Sequence, residues 1–369
     1  MDWLTDTFSA AQQWLFEAVV QPLVFGLGMG NLLEDAFDAT GWLLVGLIQI
    51  ALLFLLIGPL ERWRPVEPVT DRHAVRIDLL YTLIHRLGLF RLALFFAVSP
   101  WFDRLFGWLR ANGWQTFHLD QVWPGVTDRP LVALALYLVA FDFLGYWMHR
   151  GQHRFNWWWS LHSLHHSQRQ MTMFSDNRNH LLDDVLTDSL LVLAAQLIGV
   201  APGQFIAIVA FTQLSESFQH ANLKLWFGTV GERLWVSPRF HRLHHAIGIG
   251  HESGASSAAP GRPNQASAPS GGSEVHAVAS VGATSLGGHN FGVLLPWWDS
   301  LFGTANYERR WDPTGVRDQV EPGPHGVVDY GRGFWQQQWF GLKRLFGRGR
   351  RVAVLPAAIG ASNEMKPNP

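Results

Sequence analysis

The chain contains no cysteine, which removes disulfides, thiolate metal sites, iron–sulfur clusters and cysteine nucleophiles together. Any metal must therefore be held by imidazole or oxygen. Charge is also scarce: 15% of the 369 residues are Asp, Glu, Lys or Arg, and the net charge is −1. No general attraction to nucleic acid is expected from such a balance. The lysines are three, Lys224, Lys343 and Lys366, against many arginines, a usage that suggests a GC-rich bacterial genome. The N-terminal stretch MDWLTDTFSA is acidic and lacks the basic region of a cleaved signal peptide, so it is expected to stay in the mature protein. Neither a His-Glu-x-x-His zinc helix nor the Glu-x-x-His pattern of soluble di-iron bundles is found.

What is abundant is apolar sequence in long blocks, 48% of the chain, together with 19 tryptophans. Many of the aromatics stand at the ends of those blocks, where amphipathic rings favour a membrane interface. The uncharged run GWLLVGLIQIALLFLLIGPL (41–60) meets the length of about 20 apolar residues that a bilayer crossing needs. A second span is expected at about 77–100, with His85, Arg86 and Arg91 facing the bundle or snorkelling, and a third at 130–148. Residues 185–219, interrupted by Gly199, Pro202 and Gly203, read as two short helices in a partly or wholly inserted hairpin. The 12–30 segment reads as interrupted by Pro22 and glycines. Four arginines in the short 61–76 loop place it on the cytoplasmic side by the positive-inside rule. Two further crossings then return the chain to the cytoplasm near residue 148.

The expected organisation is all-α: a multi-pass transmembrane helical bundle with a cytosolic histidine-rich helical cap holding a dinuclear metal site. It divides into an N-terminal segment (1–40) suited to the interface, transmembrane helices and a connecting loop (41–129), a histidine-bearing region (130–305), and a C-terminal tail (306–369). Residues 252–287 are rich in Gly, Ser, Ala and Pro and read as a disordered insertion within that region. In the tail, FWQQQWFGLKRLFGRGRR combines aromatics with a basic face, as an interfacial helix or a solvated amphipathic helix would.

The histidines carry the chemistry. Residues three and four apart share a helix face. His149 and His153 are four apart, while His162, His165 and His166 repeat the spacing of His241, His244 and His245. Imidazoles packed this way repel as cations or leave ring nitrogens unpaired when neutral, and a metal resolves both problems. His180, followed by Asp184, and His220, preceded by Glu216, are further candidates, with the carboxylate one turn away orienting each ring. Asp142 lies seven residues before His149 on the same face, with Tyr146 between them. An acid in an apolar run is a functional candidate by default, and Asp142 is expected to support the metal site.

These stretches, DFLGYWMHRGQH, HSLHHS, RNHLLDD, QHAN, SPRFHRLHH and HNFGVLLPWWDSLFGT, resemble in order the fatty acid hydroxylase / sterol desaturase superfamily over about residues 130–305. The resemblance implies a membrane-embedded oxidoreductase with two iron ions, with zinc as their substitute in purified protein, that uses dioxygen and two electrons to hydroxylate, desaturate or cleave a lipid. Carried over by motif, His149, His153, His162, His165, His166, His241, His244 and His245 are implied ligands, with His180 and His220 as additional ones. Asp142, Tyr146 and Asn290 are the candidate catalytic-site residues beside them, and Asn290 and Asp299 are implied to support the site. The insertion departs from the family, which passes from its third histidine box to the NFG-like segment in few residues. No HPGG haem-binding segment is present, so electrons are expected from a separate ferredoxin- or cytochrome-type carrier. A bacterial inner membrane, with the metal site facing the cytoplasm, is the expected location. The alternatives are a zinc-dependent membrane hydrolase, which needs fewer ligands than are present, and a metal transporter or sensor, which predicts ligands in mid-span rather than after the spans.

Overall fold

A computed structural model describes residues 2–247, 288–322, 326–347 and 351–352. The expected insertion at 252–287 lies outside the described residues, as do His251, His276 and His325. The regular elements of the described residues are helices, apart from the two-residue strands β1 (Val327–Val328) and β2 (Arg351–Val352), which pair antiparallel.

Helix α1 (Asp2–Leu15) continues through a π-helical turn, Phe16–Val20, into α2 (Gln21–Gly26). Helix α3 (Leu33–Leu52) continues likewise through Leu53–Ile57 into α4 (Gly58–Trp63). Each widened turn stands just before a proline, Pro22 or Pro59. Proline lacks an N–H, and its ring meets the carbonyl four residues back. Here the residue before each proline donates five residues back, Gln21 to Phe16 and Gly58 to Leu53, and the extra width carries the helix past the ring. The expected interruption at Pro22 is therefore absorbed rather than broken.

Gly30–Trp63 forms one 34-residue helical run. At about 1.5 Å per residue it exceeds the roughly 30 Å of a bilayer core, so it must tilt or project beyond it. Leu47, Ile48, Phe54, Leu55 and Leu56 on this run are exposed, as a lipid-facing surface would be. The expected single span at 77–100 is a bent pair, α5 (Arg72–Arg86) and α6 (Leu89–Ala97), meeting at 51°. Gly88 supplies the left-handed residue at the bend, with φ 77°. After α7 (Ser99–Ala111), the 25-residue α8 (Pro130–Arg154) is the second helix long and apolar enough to cross a membrane. The bent pair, counted as one span, makes a third.

Helix α9 (Asn156–His166) follows α8 after the single extended residue Phe155. The hairpin expected at 185–219 is α10 (Leu181–Ile198) and α11 (Pro202–His220). It turns at Gly199, φ 69°, where the Tyr137 hydroxyl of α8 lies 3.2 Å from the Ile198 and Gly199 carbonyl oxygens and 3.0 Å from the Asp120 carboxylate, any one of which can take its proton. Helices α12 (Gly228–Leu234), α13 (Pro238–His244), α14 (Trp297–Leu301) and α15 (Phe334–Leu345) complete the chain. Close packing depends on Gly46 in α3, where a Cβ would lie 1.6 Å from the Arg86 carbonyl oxygen at the end of α5.

The C-terminal tail is more integrated than its sequence suggests. Phe340 of α15 packs with Trp159, Leu164, Val316 and Tyr330 in one buried cluster, so α15 backs the histidine helix α9. Its opposite face exposes Trp335, Trp339 and Phe346. The helix is thus docked on one side and keeps an aromatic face on the other.

Candidate metal centre

Helix α8 delivers His149 and His153 in its last turns, and α9 delivers His162, His165 and His166. The C-terminal residue of α11 is His220, and α13 with its cap brings His241, His244 and His245. Local sequence explains why α13 starts where it does. Ser237 caps it by accepting from Phe240 N at 3.0 Å and donates to Glu232 at 2.7 Å. Glu232 also pairs with the buried Arg239, which donates to the Glu308 carbonyl.

The nine imidazoles form overlapping groups: His149, His153, His162 and His166; His165, His220, His241 and His245; and His166, His244 and His245. Within each group the ligand atoms lie within 4.8 Å of one another. The groups adjoin, with the His166 and His245 ring centroids 4.1 Å apart. Of the ten histidines expected as ligands, nine are brought together.

The exception is His180. Its Nδ1 accepts from Leu182 N at 3.1 Å, capping α10, so Nε2 carries the proton and lies 2.8 Å from the Gln338 carbonyl oxygen as its donor. Gly341 passes so close that a Cβ there would meet His180 Cδ2 at 2.3 Å. The ring is thus held between α10 and α15, away from the clusters.

The supporting oxygens also differ from expectation. Asp183, rather than Asp184, orients a ligand, and the ring is His162: Nδ1 stands 3.2 Å from Oδ2. The same carboxylate accepts from Gln152 at 3.0 Å and Trp158 at 2.6 Å. His220 Nδ1 meets the backbone carbonyl of Glu216 at 2.8 Å, not its carboxylate. His149 Nδ1 and His244 Nδ1 meet the carbonyls of Phe291 and His289 at 3.0 and 2.7 Å. An oxygen that only accepts fixes the proton on Nδ1 and leaves the Nε2 lone pair for a ligand.

Asp142, expected to support the metal site, accepts from Leu294 N at 2.7 Å and Trp298 Nε1 at 2.8 Å. It thereby anchors the segment whose Phe291 carbonyl holds His149. Tyr146 bonds Thr304 and Arg150, each at 3.0 Å. Asn290, at φ 60°, ties the Phe240 carbonyl to the backbone of Asn306. Among the described residues, none of the three makes a hydrogen bond to an imidazole. Asp299 accepts from Phe291 N, Gly292 N and Thr304 at 2.7–2.8 Å. Burial nevertheless pushes its carboxyl up to about 6.

The second group tests whether the donors fit a metal. Nε2 of His220 lies 3.1 Å from Nε2 of His165 and 3.0 Å from that of His241, which is 3.1 Å from Nε2 of His245. Since the His220 proton sits on Nδ1, its single Nε2 lone pair faces two nitrogens and can accept from only one. Nitrogens about 2.1 Å from a shared ion at a right angle stand about 3 Å apart. The donor set fits a cation where it does not fit internal hydrogen bonding. Burial, followed by the repulsion of neighbouring imidazoles, holds His165, His241, His244 and His245 well below the usual imidazole range, and neutral rings are the ligating form.

A family model described as fatty acid hydroxylase matches residues 134–257. This family comprises membrane oxidoreductases acting on lipids, and the match spans the elements that bring all nine imidazoles together. No curated protein matches the chain, and no solved structure does.

Proposed function

We propose that this member of the fatty acid hydroxylase / sterol desaturase superfamily is a membrane-bound di-iron oxygenase that uses dioxygen and two electrons to hydroxylate or desaturate a lipid. The observation that carries the reading is the pair of adjoining four-histidine groups, buried and aimed inward. His149, His153, His162 and His166 would hold one ion, and His165, His220, His241 and His245 the other, with His244 beside both. When bound, ferrous iron supplies the reduction of dioxygen and the oxidising power for an unactivated C–H bond.

The chain's own groups supply position and exclusion. Asp183 and the carbonyls of Glu216, Phe291 and His289 orient the rings. Asp142, Asn290 and Asp299 hold the 289–304 segment that carries two of those carbonyls. The apolar end of α8 brings the site to the edge of the bilayer, where a lipid chain can enter laterally. The arginines of the 61–76 loop favour a cytoplasmic site in a bacterial inner membrane, within reach of a separate ferredoxin- or cytochrome-type donor. In this reading 130–305 is the catalytic domain and 41–129 its membrane frame.

The test is oxygen-18 labelling in membranes of cells expressing the protein, with lipid extraction and mass spectrometry. The account expects a lipid carrying one labelled oxygen, or a lipid two hydrogens lighter. Both should be absent with His165→Ala and His244→Ala. A lipid hydrolysis product made without oxygen would favour the zinc hydrolase instead.

A further inference from the structure

Helix α15 presents two apolar faces, and the fold buries one of them. Phe334 packs on Tyr81 of α5 with ring centroids 4.7 Å apart. Phe340 packs in the cluster with Trp159 of α9, whose ring stands 5.1 and 5.4 Å from those of His153 and His166. The other face carries Trp335, Trp339 and Leu342 on successive turns and ends on the cap residue Phe346. Trp335, Trp339 and Phe346 are 77%, 59% and 73% exposed. Lys343 stands at the edge of this stripe, its Nζ 5.4 Å from the Trp339 ring centroid. Arg344 lies on the other side, held by Asp318 at 3.0 Å.

An apolar stripe of this size marks a contact rather than scattered surface exposure. Its surroundings identify the contact. Tyr81 donates to Gln337 of α15 at 3.0 Å, and Leu181 N at the start of α10 donates to Gln338 at 2.9 Å. The residues next to these two, Leu80 and Leu182, are exposed. On α10 the exposure continues at Leu190 and Leu197, as on a helix turned toward lipid. Helix α9, against which α15 packs, follows directly from the membrane helix α8, and Phe155 and Trp157 are exposed at that junction. Helix α15 is therefore pinned where membrane helices begin and end. Indole rings concentrate at that level of a bilayer, and a lysine beside them extends its charge to the phosphates.

We infer that α15 lies along the bilayer surface, in the head-group region of the leaflet that bounds the histidine groups. Trp335, Trp339, Leu342 and Phe346 face the acyl chains, and Lys343 meets lipid phosphate. The occupant is phospholipid rather than protein because the stripe adjoins leucines that α5 and α10 already leave to the membrane, and because the charge at its edge is positive. Through Phe340 and Trp159 the helix joins the bilayer surface to the back of the histidine helix α9. This assignment is independent of the metal bound and of the reaction.

The absence of cysteine gives a direct test. Trp335→Cys, Trp339→Cys and Phe346→Cys are each labelled with a fluorophore in the full chain, which is then placed in phosphatidylcholine nanodiscs. Glu321→Cys is the control, exposed just beyond the Asp318 that holds Arg344 on the far side of α15. Quenching by nitroxide-bearing lipid is compared with quenching by aqueous iodide. An interfacial helix sinks its apolar face about 5–10 Å into the boundary of head groups and chains. The three stripe labels are therefore expected to lose most of their fluorescence to a nitroxide near the glycerol end of the chain and little to iodide, with the reverse at Glu321. Stripe labels quenched by iodide as freely as the Glu321 label overturn the inference. Self-quenching between stripe labels that vanishes on dilution with unlabelled chain also overturns it, by assigning the stripe to a second copy. All three stripe positions are exposed, so the comparison does not rest on the folding of one variant, and circular dichroism checks each.

Discussion

The two four-histidine groups differ in how the chain builds them. The first, His149, His153, His162 and His166, comes from the consecutive helices α8 and α9 and spans eighteen residues. The second, His165, His220, His241 and His245, draws on three helices separated by tens of residues. Their outer supports differ too. In the first group His149 and His162 each engage an oxygen through Nδ1. In the second, among the described residues, only His220 does, while the Nδ1 atoms of His165, His241 and His245 are buried and meet no hydrogen-bond partner there. The first group is thus set by local geometry and clamped from outside. The second depends on tertiary packing and, in the proposed di-iron reading, on the ion it would hold, as expected where metal binding is coupled to folding.

The largest effect should come from breaking the assembled group at its centre. His220→Ala removes the nitrogen that faces both His165 and His241. Metal content is expected to fall from about two ions per chain to one or none, with oxygen uptake at background, read by elemental analysis and an oxygen electrode. A smaller and one-sided effect is expected from Asp183→Asn, which weakens the acceptor of His162. Chelator titration should show one of two release steps shifted by about 10–100-fold in affinity, and an equal shift of both would erase the distinction between the groups.

Acid should sharpen the contrast. His165, His241, His244 and His245 stay neutral in the fold well below 6.5, whereas the unfolded chain takes up protons near 6.5. The unfolded state then binds more protons, so stability present above pH 6.5 is lost as pH falls below it, by about 1.4 kcal/mol per pH unit for each proton. Three of these four rings belong to the second group, whose ion should therefore leave first in a pH series. The smallest effect should be at His180. His180→Ala removes the bonds to Leu182 and Gln338, costing about 1–3 kcal/mol, visible as a lower melting temperature with metal content unchanged. Loss of metal in that variant would contradict the place the fold gives the ring.

Much of this arrangement was legible as sequence, because helix periodicity is a local property. The spans in α3 and α8, the α10–α11 hairpin and the His-x-x-His-His spacings follow from side-chain order alone. Partners set by tertiary approach were not legible. Asp183 and Asp184 stand side by side in RNHLLDD, and only the position of α10 against α9 decides that Asp183 reaches His162 while Asp184 lies 3.4 Å from His85. His180 and His220 look alike in sequence, each with a carboxylate one turn away. The docking of α15 withdraws the first, and the end of α11 delivers the second. The helix running through Pro22 was hidden because π-helical turns leave no composition signal.

The central claim is that the two histidine groups together hold a coupled pair of irons. Mössbauer spectroscopy with metal analysis on anaerobically iron-loaded, then oxidised, protein tests it most directly. The account predicts about two irons per chain, present as antiferromagnetically coupled ferric ions with a diamagnetic ground state. One iron per chain, magnetically isolated ferric ions, or zinc retained in place of iron after reconstitution would contradict it.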